Sequence, residues 1–347
     1  MRLPIVKDLP VSGKRILLRT NYDVPLTAKS KVADETRIEE SLLTINYLLE
    51  NKAKIIIVSH LGRPGGKKAL ELSLEPVAEK LKEILNIKYK IANIHLRNKK
   101  FFGFKLSENL VLLENIRFFP GEENNDLTFA KELASLADFF INEAFACSHR
   151  QHASIVGVPR FFPRERRALG FDFLKEIEVL SKIRENPCRP VVLLLGGIKE
   201  DKIDYAKKLI HWADWVLVGG KLVEYDEIPN LLNHPKILGN LIKNGQDITM
   251  ETVKKFRGII RRAGTIVWAG PMGNFYDKKY EKGTKEIAQA VVESGAFSVV
   301  GGGDTEVALT RFGLDKKISF ISSGGGAMLE FLAEGTLPGI EAIITSK

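Results

Sequence analysis

The sequence predicts an α/β protein composed of two doubly wound parallel sheets with a helix between them. Short apolar runs alternate with amphipathic segments along the chain, as expected for parallel strands joined by helices. Each apolar run is followed directly by polar residues or by glycines, which is where open parallel sheets bind their ligands. The alternation stops once, where a helical pattern over Ala168–Ile183 precedes Pro187 and Pro190. We therefore expect two domains.

The domain boundaries are expected at this break. Residues 1–160 are predicted to form the first domain, residues 161–186 the interdomain helix, and residues 187–336 the second domain. A chain of 347 residues is long enough for two domains. Its contents of 44% hydrophobic and 27% charged residues are typical of globular proteins with a buried core.

Cysteine usage and hydropathy indicate the compartment. The two cysteines, Cys147 and Cys188, are too few for a disulfide framework, and neither belongs to a C-x-x-C pair. This pattern favours a reducing environment. The N-terminal segment has no apolar stretch of secretory length, and apolar runs such as Val191–Leu195 are too short to cross a bilayer. We expect a cytoplasmic protein without a membrane partner.

The net charge of +9 favours anionic partners. Nucleic acid is one interpretation, but the lysines and arginines are spread along the chain without a long basic run or interleaved aromatic residues. The densest basic patch, Phe161–Arg167, is typical of a solvated surface. Small phosphorylated substrates explain the charge equally well, and we expect no nucleic-acid partner.

The first half of the chain contains apolar runs that predict strands and amphipathic segments that predict helices. The predicted strands are Lys14–Thr20, Lys54–Ser59, Leu110–Leu113 and Leu136–Ile141. The predicted helices are Asp34–Glu50, with Asp34 as its N-cap, and Ser73–Leu85.

Polar and charged side chains follow each of these strands. Asn21 and Asp23 follow the first strand, His60 and Arg63 the second, Arg117 the third and Arg150 the fourth, while Arg37 lies on the first helix. A single arginine is most often a surface residue. Several arginines after successive parallel strands indicate one basic site, because the carboxyl ends of such strands meet at one edge of the sheet. Guanidinium groups match phosphate and carboxylate geometry, so this site is predicted to bind a small molecule with more than one anionic group.

The second half repeats the strand pattern with glycines in place of arginines. The predicted strands are Pro190–Leu195, Trp215–Val218, Thr265–Trp268, Ser298–Val300 and Ile318–Ile321. The residues that follow them are Gly196-Gly197, Gly219-Gly220, Gly270-Pro271, Gly301-Gly302-Gly303 and Gly324-Gly325-Gly326. Glycine at these turns lets backbone N–H groups approach a phosphate at a helix N-terminus, so a nucleotide site is predicted.

Asp304, directly after Gly301-Gly302-Gly303, is a carboxylate suited to a phosphate-bound Mg²⁺. On its own it is equally well explained as a helix N-cap. The sequence has no G-x-G-x-x-G motif, which argues against a dinucleotide enzyme.

A polyanion site in one domain and a metal–nucleotide site in the other favour phosphoryl transfer. No obvious general base is present in the sequence. A carboxylate acceptor would need none, because a carboxylate is already ionised at neutral pH. Catalysis would then depend on positioning and charge neutralisation.

The chain resembles the phosphoglycerate kinase family over essentially its whole length. The matching segments, in the family's order, are LLRTNYDVPL, TRIEES, SHLGRP, LLENIRF, NEAFACSHRQHASIVGVP, LGGIKEDKI, IVWAGPMGNF, GGGDTEVA and SSGGGAMLEFL. The resemblance implies two Rossmann-like domains joined by a hinge helix, a monomer, and a C-terminal tail (337–347) that packs on the first domain. It also implies transfer of the acyl phosphate of 1,3-bisphosphoglycerate to MgADP, which gives ATP and 3-phosphoglycerate in glycolysis and gluconeogenesis.

The same resemblance implies roles for particular residues. The 3-phosphoglycerate site would comprise Asn21, Asp23, Arg37, His60, Arg63, Arg117 and Arg150. Catalytic groups around the moving phosphoryl would be Arg37, Lys199, Lys202, Gly303, Gly325 and Gly326. The nucleotide would be bound by Gly196, Gly197, Lys199, Lys202, Gly219, Gly220, Gly270, Pro271, Asp304 and Thr305, with Asp304 at the Mg²⁺.

The chain departs from the family pattern mainly in its second half. The Asp-x-Asn pair is reversed as Asn21-Tyr22-Asp23, and Glu143 stands where Asp is usual. GGIKEDK is one residue shorter than the usual motif, Ala269 replaces an Asn, and Tyr276 replaces the ribose-binding Glu. These changes leave open whether ADP, GDP or another nucleotide is used, and which of Lys199 and Lys202 contacts the phosphates. The alternative function is a non-catalytic paralogue that binds phosphometabolites.

Overall fold

The structure is a computed structural model that describes residues 3–88, 90–96, 100–225, 237–242 and 244–345. It divides into two compact units. Unit 1 comprises Met1–Ile177 and Leu337–Lys347, and unit 2 comprises Glu178–Thr336. No helix in the described ranges is long and apolar enough to cross a membrane.

Unit 1 is built on a seven-stranded sheet with the order β3-β4-β5-β2-β1-β6-β7. The strands are β1 (Arg15–Arg19), β2 (Lys54–Val58), β3 (Ala92–Leu96), β4 (Phe101–Ser107), β5 (Leu110–Leu113), β6 (Phe139–Asn142) and β7 (Arg167–Leu169). Strands β5, β2, β1, β6 and β7 are mutually parallel. Strand β4 runs antiparallel to both β3 and β5, and the sequence analysis predicted neither β3 nor β4.

The α-helices in the first half of the chain are α1 (Thr36–Glu39), α2 (Leu42–Glu50), α3 (Glu75–Ile84), α4 (Pro120–Glu123), α5 (Leu127–Ala134) and α6 (Phe171–Glu185). The single helix predicted over Asp34–Glu50 is wrong, because α1 and α2 are separate. Ser41 lies at the break, where its Oγ donates to Ile38 O at 2.8 Å and lies 2.7 Å from the hydroxyl of buried Tyr22. A serine side chain that bonds to nearby backbone in this way competes with helical hydrogen bonding.

The expectation that the strand pattern stops at the interdomain segment 161–186 is also wrong, because this segment contains β7. Strand β7 pairs with β6 in parallel, with Phe140 opposite Arg167 and Asn142 opposite Leu169. The strand has three residues and begins with a charged one, so its apolar pattern is too short to be recognised. Helix α6 then starts in unit 1 and ends in unit 2.

Unit 2 contains a six-stranded, fully parallel sheet with the order β10-β9-β8-β11-β12-β13. The strands are β8 (Val191–Leu195), β9 (Trp215–Val218), β10 (Ile237–Leu238), β11 (Thr265–Ala269), β12 (Phe297–Gly301) and β13 (Phe320–Ser322). The helices are α7 (Asp201–Leu209), α8 (Met250–Ile260), α9 (Lys282–Glu293), α10 (Gly303–Arg311) and α11 (Gly325–Glu334). Every strand predicted for this half is present.

The last helix, α12 (Pro338–Ile344), belongs to unit 1. Its first turn donates from Gly339 N to Ser148 O at 2.9 Å. Near its end, Ala342 O accepts from the guanidinium of Arg167 at 2.8 Å. A cation that bonds to the last carbonyls of a helix interacts favourably with the helix dipole, so Arg167 fixes α12 within unit 1.

Both sheets are buried on the faces that pack against helices. In unit 1, Leu18, Ile57 and Leu112 from neighbouring strands have no exposed surface and belong to one apolar cluster. In unit 2 the cluster is centred on Trp268, which is fully buried beside Leu194. These packed strands hold their carboxyl ends in fixed register, and the loops that carry the candidate site residues start there.

Candidate functional site

Four neighbouring strands of unit 1 bring the predicted polyanion site together. Strands β5, β2, β1 and β6 are adjacent and parallel, and Arg19 at the end of β1 pairs with Val58 on one side and Asn142 on the other. The loops that follow these strands therefore leave the same edge of the sheet. They carry Asn21, Asp23, His60, Arg63, Arg117 and Arg150.

Asp23 organises the loop after β2. Its Oδ1 accepts from Gly62 N at 2.8 Å, and its Oδ2 lies 3.9 Å from His60 Nε2. Arg37, on α1, donates to the main-chain oxygen of Asp23. Asn21 is buried and accepts a hydrogen bond from the thiol of Cys147 at 3.5 Å. The two residues of the reversed Asn–Asp pair thus have different contacts: Asp23 bonds to the loop after β2, and Asn21 bonds to Cys147 in the segment after β6.

Arg117 is the arginine of this group whose environment points most directly to an anionic ligand. Its side chain is only 1% exposed, and Nη1 donates to Gly62 O at 2.7 Å. Nε lies 3.3 Å from Glu123 Oε1, but neither Nε nor Nη2 has a hydrogen-bond acceptor within the described chain. A buried guanidinium with unused donors is costly unless a ligand supplies the acceptors.

Arg19 is a member of this cluster that the sequence analysis missed. It is fully buried, its Nε donates to Ser154 Oγ at 2.7 Å, and Nη2 lies 3.4 Å from His60 Nδ1. Glu122 also lies close, with Oε1 4.0 Å from Arg19 Nη2. The available signal was a charged residue directly after the apolar run Ile16–Leu18, at the end of the strand, and it is informative because buried arginines are rare.

The cluster carries a strong local positive potential. Burial, followed by the charges of Arg117, Arg150 and Arg19, lowers the pKa of His152 to about 3. Burial and the same three arginines also hold the pKa of His60 well below its usual value. Both imidazoles are therefore neutral at pH 7, since neighbouring guanidinium groups oppose a further positive charge.

The remaining predicted residues of this group differ in how firmly they are held. Arg150 is half-buried and its charge lowers the pKa of both Arg117 and His60, so it lies within the cluster. Arg63 follows β2 as expected, but its side chain is exposed. The fold thus brings together Asn21, Asp23, Arg37, His60, Arg117 and Arg150, whereas Arg63 is exposed to solvent.

Glu143, directly after β6, is buried at the start of helix α6. Its Oε1 accepts from Thr44 Oγ1 at 2.6 Å and from Asp172 N at 3.2 Å. Gly170 precedes the helix, and a Cβ there would lie 1.7 Å from Glu143 Oε2, so only glycine fits. Burial raises the pKa of Glu143 to about 8, although Thr44 and the backbone donors of α6 favour its ionised form.

In unit 2 the glycine loops bind one another. Five glycine N–H groups donate to protein acceptors at 2.8–3.0 Å. The pairs are Gly196 to Ala269 O, Gly197 to Pro271 O, Gly219 to Leu195 O, Gly220 to Met272 O and Gly270 to Thr305 Oγ1. A Cβ on Gly270 would lie 2.1 Å from Gly196 O, and the φ of Gly270 is +96°. These glycines are therefore required for close packing of the loops, and their N–H groups are already used.

The N-termini of α10 and α11 are different. Gly302 and Gly324 occupy the N-cap positions, so neither helix has a side-chain cap. The first N–H groups of a helix have no intrahelical acceptor, and they attract anions. Gly303, Gly325 and Gly326 thus lie at the two helix ends where main-chain donors remain for a phosphate.

The two lysines after β8 occupy different environments. Lys202 Nζ donates to Gly196 O at 2.7 Å and to Ala269 O at 3.2 Å, which places it among the glycine loops. Burial and the charge of Lys199 lower the pKa of Lys202 to about 8. Lys199 is exposed.

Asp304 and Thr305 connect the start of α10 to the preceding loop. Thr305 is buried, and its Oγ1 accepts from Gly270 N at 2.8 Å. Asp304 is exposed and accepts from the hydroxyl of Tyr276 at 3.0 Å. Within the described residues no group of three or more His, Cys, Asp or Glu side chains could hold a metal ion by itself. A single carboxylate fits Mg²⁺ that arrives with a nucleotide, because Mg²⁺ is commonly bound by one or two carboxylates together with substrate phosphates.

An arginine-rich site at the parallel strands of one sheet and a glycine-rich site on a fully parallel sheet are typical of an α/β phosphotransferase. Comparison with known proteins gives the particular family. The family model "Phosphoglycerate kinase" matches residues 6–225 and 237–335, and the chain belongs to this family.

Individual relatives agree over nearly their full length. The phosphoglycerate kinase of Finegoldia magna is 38% identical, with 99% of each chain covered, and that of Thermosipho africanus is 38% identical, with 99% of this chain and 98% of the relative covered. Among solved structures, phosphoglycerate kinase from Coxiella burnetii has a TM-score of 0.79 at 32% identity, with 99% of each chain covered. The enzyme from Pyrococcus horikoshii has a TM-score of 0.80 at 29% identity, with 98% of each chain covered.

The alignments also bear on length. The alignment with the Finegoldia magna relative extends over 400 positions, although this chain has 347 residues. The relative therefore carries residues that this chain lacks.

Proposed function

We propose that this protein catalyses the reversible transfer of the acyl phosphate of 1,3-bisphosphoglycerate to MgADP, giving 3-phosphoglycerate and ATP. Membership of the phosphoglycerate kinase family makes it a phosphotransferase with a carboxyl acceptor. Neither the family match nor the relatives favour the alternative of a non-catalytic binding protein.

The observation that carries the proposal is the buried guanidinium of Arg117 with two unused nitrogen donors beside Arg19, Arg150 and two neutral histidines. Such a cluster is unfavourable for the free energy of folding unless an anion binds, because like charges repel one another and desolvated donors lack acceptors. A phosphorylated carboxylic acid supplies both negative charge and acceptor oxygens. In our proposal Arg117, Arg150, His60 and Asn21 bind the glycerate ligand.

The nucleotide is proposed to bind at the glycine-rich edge of unit 2. Uncapped helix ends at Gly303 and at Gly325–Gly326 offer main-chain donors to its phosphates, and Lys202 offers a positive charge next to them. Asp304 would hold the Mg²⁺ that accompanies the nucleotide, and that ion neutralises phosphate charge. Arg37 and Lys199 are proposed to stabilise the transferring phosphoryl group, for which no general base is required, because the acceptor carboxylate is already ionised.

We also propose a cytoplasmic monomer in which the segment 161–186 acts as a hinge. Both cysteines are free thiols, and one of them, Cys188, is exposed, which suits a reducing compartment. Light scattering on purified protein tests the monomer.

A coupled assay tests the function directly. The enzyme is supplied with 1,3-bisphosphoglycerate, Mg²⁺ and one nucleoside diphosphate, and triphosphate formation is followed with ADP and GDP in parallel reactions. We expect turnover with at least one of them. The proposal fails if calorimetry shows that the protein binds 3-phosphoglycerate but the assay shows no turnover with either nucleotide. That result would assign the chain to the non-catalytic alternative.

A further inference from the structure

Tyr276 lies in the loop that follows β11, and its neighbours hold this loop against α10. The ring of Phe275 is 1% exposed and packs on the ring of Tyr276, with centroids 4.2 Å apart and an interplanar angle of 33°. Arg311, at the end of α10, donates to Phe275 O at 2.8 Å. The loop is therefore fixed along α10 independently of the hydroxyl of Tyr276.

That hydroxyl makes a specific contact at the other end of α10. It donates to Asp304 Oδ1 at 3.0 Å, in the first turn of the helix. The side chain of Tyr276 is 63% exposed, so burial of the ring does not explain its position. Within the described part of the chain, this is the one hydrogen bond of the Asp304 carboxylate.

The residue next to Asp304 is fixed in a comparable way. Thr305 Oγ1 accepts from Gly270 N at 2.8 Å, so both Asp304 and Thr305 are tied to the loop that runs from Gly270 to Tyr276. An exposed aspartate at a helix end is otherwise free to change rotamer, and each productive contact must then offset the entropy of ordering it. A hydrogen bond to one oxygen orients the carboxylate and leaves the other oxygen available.

We propose that Tyr276 is a positioning residue that orients Asp304 for the magnesium ion of the bound nucleotide. This inference rests on the proposed function, because Asp304 is assigned to the metal there. Tyr276 itself acts through Asp304 and contacts neither the metal nor the phosphates. A catalytic carboxylate is most effective when neighbouring groups hold it in its productive orientation.

Metal-free nucleotide and its magnesium complex should depend on different groups of the protein. Binding of a metal-free nucleotide depends on the N-termini of α10 and α11 at Gly303 and Gly325 and on Lys202, whereas the hydroxyl of Tyr276 is hydrogen-bonded to Asp304. Binding of the magnesium complex also depends on Asp304. The substitution Tyr276→Phe removes one oxygen and keeps the ring, so it should lower only the advantage of the magnesium complex over the metal-free nucleotide.

Isothermal titration calorimetry with ADP and with GDP, each in Mg²⁺ and in EDTA, measures this advantage. We expect Tyr276→Phe to reduce the ratio of the two affinities by about threefold to tenfold, the range for loss of a single hydrogen bond. The affinity in EDTA should not change. Tyr205→Phe is the matched control, because Tyr205 also donates to a carboxylate oxygen, Glu330 Oε2 at 3.2 Å, in the same unit. This control should keep the wild-type ratio.

Asp304→Asn completes a double-mutant cycle. If Tyr276 acts through Asp304, adding Tyr276→Phe to Asp304→Asn has no further effect on the ratio. A further drop of the affinity ratio in the double variant, as large as that caused by Tyr276→Phe alone, would overturn the inference. So would an unchanged ratio in Tyr276→Phe when wild type binds the magnesium complex more tightly than the metal-free nucleotide. Both outcomes leave the proposed function intact. If wild-type protein binds neither nucleotide in either condition, the proposed function fails, and the inference fails with it.

Discussion

Replacing Glu143 with glutamine should make the stability of the protein less dependent on pH. Glu143 is buried at the start of α6, and burial raises its pKa from 4.5 to about 8. A carboxyl group whose pKa is raised by folding contributes stability below its unfolded pKa and loses that contribution as pH rises through the folded pKa. The relevant window is therefore about pH 4.5 to 8.

The magnitude follows from the shift. One pKa unit corresponds to about 1.4 kcal/mol, so ionising Glu143 in the folded state costs on the order of 5 kcal/mol relative to the unfolded chain. Glutamine has nearly the same shape, and its oxygen can accept from Thr44 Oγ1, which now lies 2.6 Å from the carboxylate. The variant should match wild type at pH 5 to within about 1 kcal/mol. It should be several kcal/mol more stable than wild type at pH 9.

Chemical denaturation followed by far-ultraviolet circular dichroism measures the difference. Tryptophan fluorescence is unsuitable, because all three tryptophans lie in unit 2, whereas Glu143 lies in unit 1. Asp172, whose pKa burial raises to about 6, is present in both proteins, and its own contribution largely cancels. Glu50→Gln, at an exposed position at the end of α2, is the control and should change neither the stability nor its pH dependence. Parallel pH profiles for wild type and Glu143→Gln would refute the reasoning.

Three further predictions concern the anion site. Arg117→Met should weaken binding of 3-phosphoglycerate by about tenfold to a hundredfold, because it removes charge-assisted hydrogen bonds, and should leave ADP affinity unchanged. Calorimetry with both ligands measures the two affinities. Equal losses of affinity for both ligands would count against the assignment of Arg117 to the 3-phosphoglycerate site. Arg37→Ala should lower turnover much more than it raises KM in steady-state assays, and an unchanged kcat would remove Arg37 from the phosphoryl-transfer step. The pKa of His152, now about 3, should rise when 3-phosphoglycerate binds, because the ligand offsets the charges of Arg117 and Arg150. Nuclear magnetic resonance titration with and without 3-phosphoglycerate checks this rise, and an unchanged pKa of His152 would contradict the prediction.

The strands were largely predictable from the sequence, because their apolar runs are short and end sharply. Leu110–Leu113 and Trp215–Val218 were predicted to the residue. The polar residues after these strands could also be grouped into one site, because parallel strands have their carboxyl ends at one edge of the sheet. The order of the strands, which makes β5, β2, β1 and β6 neighbours, was not encoded in any local pattern.

Features that depend on distant contacts were not predictable. The separation of α1 from α2 involves Ser41 and its contact with Tyr22, which comes from the loop after β1. Arg19 lies in a predicted strand, and only the tertiary structure brings Ser154 and His60 to its guanidinium group. A buried charge in a strand has no periodic signature, so only the tertiary structure identifies its partners.

The glycine loops show how a correct pattern can have a second physical cause. Glycines after strands predicted main-chain donors for a phosphate, but five of these N–H groups donate to protein acceptors, and the missing Cβ atoms allow the loops to pack. The donors that remain are at the ends of α10 and α11. Both reasons select glycine, so the sequence alone could not separate them.

This distinction explains why the second half of the chain can depart from the family pattern. An arginine cluster binds its ligand through side chains whose identity and geometry must both be kept. Helix ends bind phosphates through backbone groups that are present in any sequence with the right turn. Side chains such as Tyr276 and Ala269 can then change without loss of the phosphate site. Discrimination between nucleotides consequently depends on side chains around that backbone site rather than on the helix N-termini themselves, because main-chain donors bind the phosphates that all nucleotides share.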